Sequence, residues 1–108
     1  MTLQPCGNAS PEALAGCVEQ RRYVEDVTFV AHERFPGTAH WQATQDFVKG
    51  RLEQLGYDVE LQQVDGMVNV IGRRVGALEP DEQVMVSAHY DHIEGCDGAD
   101  DNGSGVSA

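Results

Sequence analysis

The stretch that most restricts this chain is QVMVSAHYDHIEGCDGADDNGSG, residues 83–105, where a block of β-formers passes without a break into five carboxylates and four glycines. Val84, Met85 and Val86 ask for an extended, buried ribbon. The segment behind them has too little side-chain bulk to pack a core, and its like charges destabilise one another unless a cation intervenes. The fold must therefore end a strand in a loop lined by Asp91, Glu94, Asp97, Asp100 and Asp101.

Nothing nearby in the sequence balances that charge. The chain has 18 Asp and Glu against 7 Lys and Arg, a net charge of -11, and all the basic residues lie at or before Arg74. Residues 79–101 hold eight carboxylates and no fixed positive charge. Such a surface repels nucleic acid and anionic lipid and concentrates cations. No nucleic acid partner is expected. No run of 18 apolar residues is present, so no membrane partner is expected either, and MTLQPCGNAS lacks the basic-then-apolar order of a signal peptide. Secretion or export to the periplasm would require a leader already removed, and a cytoplasmic location stays open.

At 108 residues, 41% of them hydrophobic, residues 1–108 read as one small globular unit with an irregular arm over residues 1–9. Ser10, Pro11 and Glu12 mark a helix start, and Leu14, Val18, Val24, Val27 and Val30 recur near helical period, giving one or two helices up to about Glu33. Pro36 and Gly37 break the chain. Trp41, Thr44, Val48, Leu52 and Leu55 then form one stripe ended by Gly56, with Trp41 as core anchor. YDVELQQV, a DG turn, MVNVIGRR, an ALEPDE turn and QVMVSA predict three strands, and DDNGSGVSA opens another helix. The expected architecture is α/β: helices packed on a mixed, largely parallel sheet, with the acidic loop at the carboxyl end of the third strand.

Cys6 and Cys17 flank a Gly, Asn, Ser and Pro-rich segment. A bridge between them would contribute roughly 3 kcal/mol and imply an oxidising compartment. The other reading is two unpaired thiols in a reducing one. Cys96, in the acidic loop, is left over.

His89 and Asp91 lie two residues apart, so on a strand they share a face. That spacing lets the Asp91 carboxylate accept the proton of one imidazole nitrogen while the other faces a metal. A His-x-Asp pair alone is also what a surface ion pair looks like. GADDNGSG strengthens the metal reading, because one carboxylate can bridge two ions ~3.5–4 Å apart. A calcium loop is the rival: Asp100, Asn102, Ser104 and Gly105 fall on the first, third, fifth and sixth positions of an EF-hand. That motif needs an entering helix, which β-branched QVMVSA does not supply. His92 is close enough to reach the site, though loop packing or solvent contact suffices to explain it.

HYDHIEGCDGADDNGSGVSA, preceded by RFPGT, LGYDVE and NVIGR, resembles the first part of metallopeptidase family twenty-eight, the co-catalytic di-zinc family of bacterial leucyl aminopeptidase and glutamate carboxypeptidase. The resemblance implies two zinc ions per complete site. His89 would ligate one, Asp91 would take the catalytic supporting role of orienting His89, and Asp100 would bridge both. Asp101 would follow through a cis peptide bond as a supporting residue. It further implies hydrolysis of peptide substrates, with an aminopeptidase as the first reading and a carboxypeptidase as the second. The related zinc peptidases in which a single Asp leads to a lysine fit the doubled aspartate less well. The family's general-base glutamate and its last ligands find no counterpart here, so the chain reads as the N-terminal part of a longer catalytic domain. A noncatalytic domain that keeps the acidic loop as a solvated face is the alternative.

Overall fold

The computed structural model describes residues 10–108, and the arm expected over residues 1–9 lies outside them. The Ser10 hydroxyl accepts from the Ala13 amide at 3.3 Å and Pro11 fills the first turn, opening α1 (Pro11–Gly16). A break at Cys17 and Val18 separates it from α2 (Gln20–Val30), so the first helical segment resolves into two helices. Cys17 is disulfide-bonded and Cys96 is a free, half-buried thiol, while Cys6 falls outside the described residues.

The Trp41 stripe forms α3 (Ala39–Gln54), opened by Thr38, whose hydroxyl accepts from the Trp41 amide at 3.3 Å. It closes in a Schellman turn: Gly56, at φ 88°, donates to the Glu53 carbonyl and Tyr57 to that of Leu52, both at 3.0 Å. Val30 and Trp41 are the buried apolar residues among those described. Around them α2 and α3 are locked by a forked ion pair, with Arg51 donating through both terminal nitrogens to Asp26 at 2.9 and 3.1 Å. Asp26 is buried and Arg51 lies 5.0 Å from the Phe47 ring centre. Asp26→Ala would leave the half-buried guanidinium without its carboxylate partner, an expected loss of about 3 kcal/mol. Chemical denaturation checks this, and a loss as small as the ~0.5 kcal/mol given by an exposed pair such as Arg21 and Glu25 would contradict it.

β1 (Asp58–Val64) and β2 (Met67–Arg73) form the hairpin expected from the DG turn. Asp65 and Gly66 both adopt positive φ, 49° and 79°, as a two-residue turn between twisted strands requires. This hairpin, which packs on α3, corrects the expected sheet. Among the described residues the sheet has two antiparallel strands and is not largely parallel. A two-residue connection can join only antiparallel strands. The third predicted strand, residues 83–88, pairs with nothing there, and Val84, Met85 and Val86 are 96%, 87% and 94% exposed. Their β propensity is unmet because no neighbouring ribbon supplies hydrogen bonds on either flank.

The chain regains regular structure in a wide helical turn, Ala99–Ser104, running into α4 (Gly105–Ser107). Both lie against α2, where the Tyr23 hydroxyl donates to the Ser104 carbonyl at 3.1 Å. No helix among the described residues is long and apolar enough to cross a membrane.

Candidate metal centre

Residues 89–91 pair with no strand among the described residues. Tyr90 turns inward: its ring stacks on Trp41 with centroids 6.1 Å apart, and its hydroxyl donates to the Val68 carbonyl on β2 at 2.6 Å. His89 and Asp91 consequently face the other way, as their spacing predicts. Burial, then the neighbouring Asp91 charge, raises the Tyr90 hydroxyl above its ordinary range. A raised folded value favours the protonated form, so its stabilisation is complete below about pH 10 and lost as pH rises through the folded value. Tyr90→Phe should therefore flatten the alkaline decline in the denaturation midpoint, while costing about 1 kcal/mol at neutral pH for the unpaired Val68 carbonyl. An unchanged alkaline profile would argue against this role.

The imidazole of His89 is held from both sides. Its Nδ1 lies 3.3 Å from Asp91 Oδ1 and 3.2 Å from the Asp91 carbonyl, and its Nε2 lies 2.9 Å from Asp101 Oδ1. The second oxygen of Asp101 faces His92 Nε2 at 3.5 Å. His92 is mostly buried, its side chain 13% exposed, and its Nδ1 has no hydrogen-bond partner among the described residues. The structure thus brings His89, Asp91 and Asp101 together and adds His92, for which the sequence suggested loop packing or solvent contact. Asp100, expected to carry the bridge, instead accepts the Ser104 hydroxyl on its backbone carbonyl at 2.6 Å, and no ion pair to its carboxylate is present among the described residues. The cis peptide bond lies between Asp101 and Asn102, one link later than expected.

A neutral imidazole nitrogen and a carboxylate oxygen, with a second carboxylate fixing the other ring nitrogen, are the donor types that zinc takes. The set fits zinc in kind. In number it is open, because among the described residues no three His, Cys, Asp or Glu side chains converge as a cage.

Arg34 is a residue to which the sequence reading assigned no role. It is fully buried and brings a positive charge into a cluster that has none within residues 79–101. Its Nε donates to the Tyr90 carbonyl at 2.7 Å, its Nη1 to the carbonyls of Val30, His32 and Asp97 at 2.5, 3.1 and 2.7 Å, and its Nη2 to that of Gly98 at 3.0 Å. Burial lowers its pKa, opposed by Asp91, Asp101 and Asp97. Every acceptor is a backbone carbonyl, so the carboxylates keep their lone pairs. In the sequence Arg34 stands only as the first residue of RFPGT and carries no assigned role, because its partners lie far along the chain.

Residues 69–108 match the model of Peptidase family M28, which bears out the metallopeptidase resemblance over the stretch that carries the site. No solved structure matches the chain.

Proposed function

We propose that these residues form the N-terminal part of a single zinc exopeptidase domain, an aminopeptidase, with His89 and Asp101 as metal ligands. The observation that carries this reading is the 2.9 Å approach of His89 Nε2 to Asp101 Oδ1, with Asp91 on the opposite ring nitrogen, inside the family-matched stretch. Zinc supplies Lewis acidity for the scissile carbonyl and an acidified water. With Asp91 accepting from Nδ1, the Nε2 lone pair would be left for a metal on the side where Asp101 stands. Asp101, with one oxygen toward His89 and the other toward His92, would supply carboxylate donors to bound zinc. Arg34, bonded only to carbonyls, does not compete for either carboxylate.

An aminopeptidase is favoured over a carboxypeptidase by charge. The eight carboxylates of residues 79–101 attract the ammonium of a peptide's free amino end and repel a free carboxylate. Cys17, disulfide-bonded, is what an exported enzyme would carry.

The test is a zinc titration followed through the imidazole nitrogen resonances of His89. Saturable shifts at His89, with His32 and His40 unmoved, are expected, and no response at His89 would sink the reading. The 108 residues by themselves offer two donors where each zinc takes three or four. Weak binding and no peptide turnover are therefore expected of them.

A further inference from the structure

We propose that Arg34 is the positioning residue of the metal loop, a rigid buried fork that fixes the distance between the segment carrying His89 and the segment carrying Asp101. The proposal rests on the reading of His89 and Asp101 as zinc ligands. Its own basis is where the donors go. Nε takes the carbonyl of Tyr90, the residue between His89 and Asp91. Nη1 and Nη2 take the carbonyls of Asp97 and Gly98, the two residues leading into the turn that holds Asp101. The remaining Nη1 bonds anchor the guanidinium to Val30 and His32 at the end of α2, and the Arg34 carbonyl accepts from the His92 amide at 3.1 Å.

A planar guanidinium presents its five N–H donors in a fixed geometry. Carbonyls bonded to its different edges cannot change their separation without breaking a bond. Two loop segments that share no direct backbone ladder are thereby held in one register. A residue needed for packing alone would have no reason to place donors on both ligand-bearing segments, and burying a charge for packing is costly. Gly98 completes the fit, since a Cβ there would stand 2.8 Å from Arg34 Nη2. Lysine has the charge but a single nitrogen, so it cannot span both segments.

The experiment compares zinc titrations of wild type, Arg34→Lys and Arg34→Ala, read through the His89 imidazole resonances, with folding followed separately by circular dichroism. Arg34→Lys is expected to fold and to bind zinc about 10–100-fold more weakly, the range typical of lost supporting partners at metal sites. Guanidinium ion at a non-denaturing concentration should restore zinc binding to Arg34→Ala, and ammonium should not. Lysine-variant affinity equal to wild type, with only a lower denaturation midpoint, would reduce Arg34 to a packing role and overturn the inference. So would an Arg34→Ala protein whose His89 resonances fail to return with guanidinium. A wild type that ignores zinc refutes the metal reading itself and takes this inference with it, whereas a responding wild type with indifferent variants refutes the inference alone.

Discussion

Asp101→Ala is expected to abolish saturable zinc binding, while Asp100→Ala leaves it within a few fold. The two aspartates are adjacent and chemically identical, so the contrast depends entirely on geometry. Asp101 reaches His89 Nε2 at 2.9 Å and turns its other oxygen toward His92. Removing it leaves a lone imidazole to hold the ion, a loss beyond the ~10–100-fold that supporting residues cost. Asp100 has no such contact among the described residues, and the Ser104 hydroxyl bonds to its backbone, which alanine retains. Zinc titrations of the two variants decide the matter. If Asp100→Ala loses binding and Asp101→Ala keeps it, the ligand role returns to Asp100, where the doubled-aspartate motif alone had put it.

Gly98→Ala is the second change with a large expected effect, a loss of about 3 kcal/mol or more. Gly98 sits at φ 59°, and a Cβ there would stand 2.6 Å from both the Asp101 carbonyl and His92 Cδ2, and 2.8 Å from Arg34 Nη2. Two costs combine, roughly 1–2 kcal/mol for a left-handed non-glycine residue and roughly 1–3 kcal/mol for overpacking. Gly95 separates them. It also has positive φ, 81°, but a Cβ there meets nothing within 4 Å, so Gly95→Ala should show only the backbone cost of about 1 kcal/mol. Equal losses in the two variants by chemical denaturation would mean that the crowding around Gly98 is relieved by small shifts.

What could be read along the chain was what is decided within a few residues. The Ser10 cap, the Trp41 helix with its Gly56 stop and the Asp65 and Gly66 turn each depend on neighbours in sequence, and each is found. His89 and Asp91 share a face because strand alternation is local as well. The failures are nonlocal. Residues 83–88 have strand composition, yet a strand exists only where a neighbour offers hydrogen bonds, and composition does not say whether one does. Arg34 acts through carbonyls 56–64 residues away, and carbonyls carry no side-chain signature. The contact to His89 is made by Asp101, beside the non-helical torsions of Asp101 and Asn102, where the doubled-aspartate motif led to Asp100. A motif that counts residues cannot see a one-residue change in direction.

The stacking of Tyr90 on Trp41 gives the protein a built-in optical reporter. Trp41 is the sole tryptophan, and its indole lies against the ring of the residue that separates His89 from Asp91. Any ligand that pulls on those two side chains moves Tyr90 relative to the fluorophore. Ion capture at the acidic loop should accordingly be visible as a change in ultraviolet emission, without any attached dye.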